Sequence, residues 1–390
     1  MHFSAAARAI DQHLETAVAL LQQTAEINSC SANPAGVNNV QDIFQYEFER
    51  LGFAVNRLQH EPFGSHLTAA NCLPGQTAIL LTGHADTVHP ADGEFQKVVR
   101  ENDRLRGPGV YDMKGGLVLI ILALKGLAET GLLHKVPLRI LIAGDEEIGL
   151  PDSAPLHQEL GELSSAALVF ESGREQNAVI TARRGCAFFK LAVQGKSAHS
   201  GSSFTQGANA ICQLTHLIQQ ISALTDLERQ LTLNVGVIQG GESPNIVPDC
   251  AWASFDLRCV SSADFELTFK ALAKITADIA VPGTKAALEL QRWVKPMEHS
   301  NEAAALAASY RRAAAQAGFS AEPYPGVIGG GSSANLLSSY VRTIDGLGPF
   351  GCGAHTTEEW MSIASLKEKA RALAFWLIDS LQENAGRYSY

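Results

Sequence analysis

His84 and Asp86 in Gly83-His84-Ala85-Asp86-Thr87-Val88, and the carboxylates of Asp145-Glu146-Glu147, stand where apolar, strand-like runs end. Imidazole and carboxylate are the side chains that both bind divalent metals and move protons, so a chain that offers them from separate segments is a candidate for metal-activated water chemistry. His84 and Asp86 are two residues apart and project to the same side of an extended backbone. A carboxylate so placed can hold one imidazole nitrogen and leave the other for a metal. Asp112 follows the turn-prone Gly107-Pro108-Gly109-Val110-Tyr111 and leads into a helical pattern. It could bridge two cations, or could simply cap that helix. Of the adjacent Glu146 and Glu147, one can ligate metal while the other handles protons. Glu171, after Leu168-Val169-Phe170, and His355, in Gly351-Cys352-Gly353-Ala354-His355, complete the candidate set.

The elements that must position these residues alternate between two periods. Runs at 77 to 82, 138 to 143 and 167 to 170 read as buried strands, with helices at 116 to 129 and 156 to 163 between them. This is α/β organisation, in which ligands gather beyond the carboxyl ends of strands. From about Arg183 the character changes. Alternating strands at 186 to 193, 231 to 237 and 251 to 257 are separated by helices at 207 to 224 and 263 to 279, the order of a ferredoxin-like α+β unit. Helical signals resume after Met297, with a helix at 302 to 317, the Gly329-Gly330-Gly331-Ser332-Ser333 turn, a strand at 341 to 345 and a terminal helix at 362 to about 382. The middle unit therefore reads as an insertion: a catalytic domain over 1–183 and 297–390, interrupted by 184–296.

Bulk properties bound the function. At 390 residues the chain exceeds what one hydrophobic core usually supports. With 46% hydrophobic and 18% charged residues it reads as a globular enzyme. Thirty basic against forty acidic side chains, a net charge of −10, argue against nucleic-acid binding. The first twenty residues read as an amphipathic helix and not as an export signal, and no apolar run approaches the roughly 18 residues of a membrane span. Seven scattered cysteines fit reduced thiols, which places the expectation in the cytoplasm. The glycine turn at 329–331 lacks a following Gly-Lys-Ser/Thr and so does not read as a phosphate loop.

Taken together, GHADTV (83–88), GPGVYDMKGG (107–116), GDEEIG (144–149), FESG (170–173), GKSAHSG (195–201), NIVPD (245–249), FDLR (255–258), GGGSSAN (329–335) and the late His355 resemble the dinuclear zinc hydrolases that include glutamate carboxypeptidase, succinyl-diaminopimelate desuccinylase, acetylornithine deacetylase and aminoacylase. The resemblance spans nearly the whole chain. It implies a zinc-exopeptidase-like α/β catalytic domain with a mixed sheet flanked by helices, and an inserted ferredoxin-like lid and dimerisation domain. It implies two zinc ions per subunit, replaceable by cobalt: His84 and Glu171 on one, Glu147 and His355 on the other, Asp112 between them. Glu146 becomes the general base and Asp86 the partner of His84. His199 matches the histidine that one subunit's lid offers to the active site of the other, in a homodimer. Asn245 and Arg258 match residues that bind substrate carbonyl and carboxylate groups, although Arg258 could instead serve an ordinary strand-end ion pair; Gly329 and Gly330 are taken to shape the substrate pocket. A glutamate at position 171 resembles carboxypeptidases and deacylases, whereas aspartate accompanies aminopeptidases. The peptide between Asp112 and Met113 is expected to be cis. The implied substrate is a small peptide or an N-acyl amino acid, the alternatives being carboxypeptidase, N-acyl amino acid deacylase and, remotely, an inactive metal-binding scaffold.

Overall fold

The computed structural model describes residues 1–59 and 61–387, and it divides into two compact units. The first comprises 1–181, 299–326 and 332–390; the second comprises 182–298 and 327–331.

The first unit is built on a six-stranded sheet whose order, by residue, is 54–58, 66–70, 138–143, 78–84, 164–169 and 343–344. The Ala78–His84 strand is buried at every position and so is Leu138–Ala143, which is why neither shows the apolar and polar alternation of a half-exposed strand. These two run parallel to each other and to Ser164–Val169, with His84 opposite Ala143 and Thr82 opposite Val169. Pairing in this register brings three carboxyl ends side by side. The His66–Ala70 strand joins Leu138–Ala143 antiparallel, so the sheet is mixed. Sequence patterning did not mark the Ala54–Leu58 and His66–Ala70 pair, nor the Pro34–Arg50 helix, whose Asn33 side chain accepts the Gly36 N–H as a cap.

The Lys114–Ala128 helix is apolar around nearly its whole circumference, as a helix enclosed by other elements must be. It packs against the His2–Ala25 and Ile363–Arg387 helices. A Cβ at Gly116 would lie 2.1 Å from the Phe170 carbonyl oxygen, so the absence of a side chain lets this helix approach the segment leading to Glu171. The expected helix at 156 to 163 runs Ala154–Glu162, and the 341 to 345 strand is reduced to Thr343–Ile344.

The second unit contains a four-stranded antiparallel sheet in the order 232–240, 250–259, 185–194 and 285–294. In chain order these strands alternate with the Ala210–Ser222 and Ser262–Thr276 helices, which pack on the sheet. Strict alternation in Cys250–Cys259 sends Ala251, Ala253, Phe255, Leu257 and Cys259 into the core with Phe189, Leu191 and Leu214. Residues 327–331, which sequence reading leaves within 297–390, group with this unit through bonds from Arg184 N–H to the Ile328 carbonyl (2.8 Å) and from the Arg183 guanidinium to the Gly330 carbonyl (3.0 Å).

Candidate metal centre

Beyond the three parallel carboxyl ends lie His84, the last residue of its strand, then Glu146 and Glu147, then Glu171. Asp112 arrives on the loop before the Lys114–Ala128 helix and is joined to Met113 by a cis peptide, as expected. His355 comes from the turn after the Gly351–Cys352 strand, with a positive φ of 65°. A non-glycine residue there costs on the order of 1–3 kcal/mol and persists only when its surroundings hold it. They do so through Gly353, whose φ is 80° and whose carbonyl accepts the Thr356 N–H (3.0 Å) and hydroxyl (2.8 Å).

His84 Nε2 faces three carboxylates: Asp112 Oδ1 at 3.7 Å, Glu171 Oε1 at 3.7 Å and Glu146 Oε2 at 3.9 Å. His355 Nε2 faces the other Asp112 oxygen, Oδ2, at 3.4 Å and Glu147 Oε2 at 3.2 Å. Asp112 thus turns one oxygen to each imidazole. Ligand atoms of His84, Glu146 and Glu171, and likewise of His84, Asp112 and Glu147, lie within 4.8 Å of one another.

The second nitrogen of His84 decides what the first can do. Nδ1 lies 2.9 Å from the main-chain oxygen of Asp86, an atom that only accepts, so Nδ1 keeps its proton and Nε2 is the nitrogen that offers a lone pair to a cation once its own proton is lost. Sequence reasoning named Asp86 as this partner but assigned the contact to its carboxylate, which stands at 3.4 Å. That carboxylate has further partners. It accepts the N–H groups of Glu146 and Glu147, both at 3.1 Å, and the Ser31 hydroxyl at 2.7 Å, so Asp86 positions the glutamate pair as well as the histidine. Asp145 is not part of the cluster. It is fully buried and accepts the Ser153 hydroxyl (2.5 Å) and the N–H groups of Asp152 and Ser153, which fastens the far end of the glutamate loop.

Charge balance in the cluster fits a metal. Burial and the neighbouring carboxylates push Glu171 well above the usual carboxylate range; burial first, then Glu147, Asp86 and Asp112, lift Glu146 to about 8. Asp112 is held below its ordinary value although burial opposes this, because His355 and His84 both bond to it. Asp112 and Glu147 raise His355 to about 10, and Glu171 first, then Asp112 and Asp86, raise His84 well above its ordinary value against burial. Protons therefore occupy the metal-free cluster where cations would balance the carboxylates. Glu147 Oε1 and Glu171 Oε1 are buried without a hydrogen-bond partner, two orphaned acceptors that a cation would satisfy.

Sequence reasoning missed two groups that hold this geometry. The Tyr111 hydroxyl donates to the Gly173 carbonyl (2.7 Å), tying the Asp112 loop to the Glu171 loop. Glu359, fully buried, accepts the N–H groups of Gly109, Tyr111 and Asp112. The available signal was alternation along the strand that follows: Glu359 and Met361 are buried, while Glu358 is exposed.

The remaining candidates lie in the second unit. His199 is exposed and pairs with Ile246, next to Asn245, whose carbonyl accepts the Ser200 N–H (3.0 Å). His199 Nδ1 accepts the N–H groups of Gly201 (3.0 Å) and Ser202 (3.2 Å), which leaves the proton on Nε2 as a donor. Arg258 is not an uncommitted cation. Its guanidinium bonds Asp256 Oδ2 at 2.8 Å, because residues two apart on a strand share a side, so a substrate carboxylate would have to compete with Asp256. Gly329 and Gly330 are exposed, with no atom within 4 Å of where a Cβ would stand.

A mixed sheet carrying a histidine and carboxylate cluster at its carboxyl ends can hold divalent metal, and comparison with known proteins supplies the class. Residues 80–379 match Peptidase family M20/M25/M40, and the chain belongs to that family of hydrolytic enzymes. It is 26% identical over 372 residues to carboxypeptidase G2 of Pseudomonas sp. (strain RS-16), covering 92% of this chain and 88% of that protein. It is 31% identical over 228 residues to acetylornithine deacetylase of Klebsiella pneumoniae (strain 342), covering 54% and 58%. Among solved structures, aminopeptidase PepT of Bacillus cereus ATCC 10987 superimposes with a TM-score of 0.80 at 21% identity, over 95% of this chain and 99% of that one. The metallo-carboxypeptidase Sso-CP2 of Sulfolobus solfataricus gives 0.72 at 18%, over 93% and 98%. At these identities the structural likeness concerns the fold alone.

Proposed function

We propose that the chain is a zinc-dependent hydrolase that cleaves a linear amide to release an amino acid with a free carboxylate, as a glutamate-carboxypeptidase-like enzyme. The observation that carries this reading is the division of Asp112, one oxygen toward His84 and the other toward His355. His84 and Glu171 would hold one ion, Glu147 and His355 the other, and Asp112 would join them, leaving open positions as catalytic sites require. Two zinc ions held there would lower the pKa of water and polarise the amide carbonyl.

Glu146 takes a proton from the attacking water as the new C–O bond forms, then passes that proton to the amine nitrogen as the C–N bond breaks. Burial beside Glu147 suits it to hold the proton in between. Asp86 keeps Glu146 in reach through its main-chain N–H. His199 of the partner subunit would donate its Nε2 proton to the carbonyl oxygen, a contribution of about 3 kcal/mol for a well-placed donor. Asn245, Arg258, Gly329 and Gly330 would contact the rest of the substrate, Arg258 by exchanging Asp256 for the substrate carboxylate.

The strand order of the second unit supports reading it as ferredoxin-like, and the family resemblance is what suggests that it serves as a lid through which a homodimer would form. Glu171 and the carboxypeptidase G2 relative favour the carboxypeptidase reading. The acetylornithine deacetylase relative favours an N-acyl amino acid deacylase as the second. The cytoplasm is the compartment that suits the seven thiols, none of which is in a disulfide; among the described residues no helix is long and apolar enough to cross a membrane.

The test is a screen of dipeptides, N-acyl amino acids and pteroyl-glutamate amides, with zinc or cobalt present and after chelation. Turnover should require metal. Glu146→Gln should keep the metal and lose on the order of 10²–10⁴ in kcat, whereas Glu147→Gln should bind metal more weakly. Full activity in metal-free protein would overturn the mechanism, metal loss in Glu146→Gln with metal kept in Glu147→Gln would exchange the two roles, and equal loss in both would make both ligands.

A further inference from the structure

The Asp112 loop has no regular secondary structure to fix it. From 108 to 113 the chain forms consecutive turns, and three N–H groups of this loop converge on one buried carboxylate. Glu359 Oε1 accepts from Tyr111 (2.8 Å) and Asp112 (2.9 Å), and Oε2 accepts from Gly109 (3.0 Å). The Glu359 main-chain oxygen accepts a fourth, from Gly107 (3.2 Å). The remaining contact of Oε2 is His89 Nε2 at 2.8 Å. A carboxylate opposite an imidazole nitrogen requires the proton to be on that nitrogen, so His89 donates. His89 is itself 7% exposed, packed edge-on against Phe95, and its carbonyl accepts the Asn28 side-chain amide.

Two features separate this arrangement from ordinary loop packing. The amide bonded by Oε1 belongs to Asp112 itself, the residue whose carboxylate oxygens diverge toward the two imidazoles. Glu359 also stands four residues after His355 on the same segment, which thus presents one histidine of the cluster and grips the backbone of the carboxylate facing it. A carboxylate that accepts four charge-assisted bonds sets the position of its donors more tightly than apolar contact would. Burying one for stability alone is an inefficient use of it, because desolvation offsets much of the gain.

We propose that Glu359, held by His89, is a positioning residue for the metal centre: it fixes the Asp112 backbone relative to His355 so that the Asp112 carboxylate can join two cations. The proposal rests on the ligand assignment made above.

The experiment is calorimetric titration of zinc into metal-stripped protein, with circular dichroism and a thermal melt of the metal-free form alongside, for wild type, Glu359→Gln, His89→Leu, His89→Gln and Asp112→Asn. Glu359→Gln keeps the shape but turns an NH₂ group toward an N–H donor. It should remain folded and bind zinc about 10- to 100-fold more weakly, the usual cost of losing a partner behind a ligand. His89→Leu should weaken binding in the same direction, and His89→Gln, which can still donate, should recover part of the loss. Unchanged zinc affinity in Glu359→Gln and His89→Leu, with Asp112→Asn weakened, would overturn the positioning role while leaving the ligand assignment standing. Unchanged affinity in Asp112→Asn would instead overturn the assignment. If Glu359→Gln does not fold, the result for His89→Leu decides.

Discussion

At the scale of single residues, the chemistry turns on where protons sit when no cation is present. The Asp86 carbonyl fixes a proton on His84 Nδ1, and the crowded carboxylates retain others. His355 is raised to about 10 and Glu146 to about 8, so both hold protons at pH 7 in the metal-free protein. Metal binding must displace the protons on His355 Nε2 and His84 Nε2 and disturb those shared among the carboxylates. The sign follows: at lower pH more protons compete, so zinc affinity should rise as the pH climbs through 8 toward 10. Titrations at pH 7 in two buffers of different ionisation enthalpy should show net proton release. Identical heats in both buffers, with affinity independent of pH, would mean that the cluster is not protonated as described.

At the scale of elements, close approach decides whether the side chains meet. The Lys114–Ala128 helix carries Asp112 just before its first turn and lies against the segment that leads to Glu171. Gly116 permits this, since any Cβ would press on the Phe170 carbonyl oxygen. Gly116→Ala should therefore destabilise the protein by about 1–3 kcal/mol, the usual cost of overpacking, even though alanine is the better helix former. Denaturant unfolding measures this, and a neutral or stabilising result would show that the helix can withdraw without cost. Because Tyr111 ties the same two segments together, the variant should also bind zinc more weakly.

At the scale of the whole molecule, the proposal requires two chains. The Nε2 donor of His199 is prepared by two backbone N–H groups, and in the proposed reaction it would act in the neighbouring active site. His199→Ala should leave folding and zinc content unchanged while lowering turnover by about 100-fold, as expected for loss of one oxyanion donor. Mixing it with Glu146→Gln under subunit exchange should restore activity, since one site of each heterodimer then combines an intact base with an intact histidine. Exchange verified by mass spectrometry without recovered turnover would place His199 in its own subunit's site or outside the reaction.

Much of this was legible in the chain itself. Uninterrupted apolar runs identified the Ala78–His84 and Leu138–Ala143 strands, because strands covered on both faces need no polar alternation. The types and spacing of His84, Asp112, Glu146, Glu147, Glu171 and His355 marked them as candidate site residues, because few side chains can bind a dication. The Pro34–Arg50 helix was less legible: its moderate amphipathic pattern begins in a Pro- and Asn-rich stretch that reads as a loop. What only the tertiary structure decided are the partnerships. Local sequence did not reveal that the main-chain oxygen of Asp86 holds His84 more closely than its carboxylate does, or that Arg258 is matched by Asp256. Nor did it reveal that Asp145 turns away from its two neighbours, or that Glu359 reaches back some 250 positions to hold the Asp112 loop, its amide contacts spanning separations of 247 to 250 residues. Side-chain chemistry is written residue by residue, whereas hydrogen bonds and burial are settled by which segments the fold brings within about 3 Å of one another.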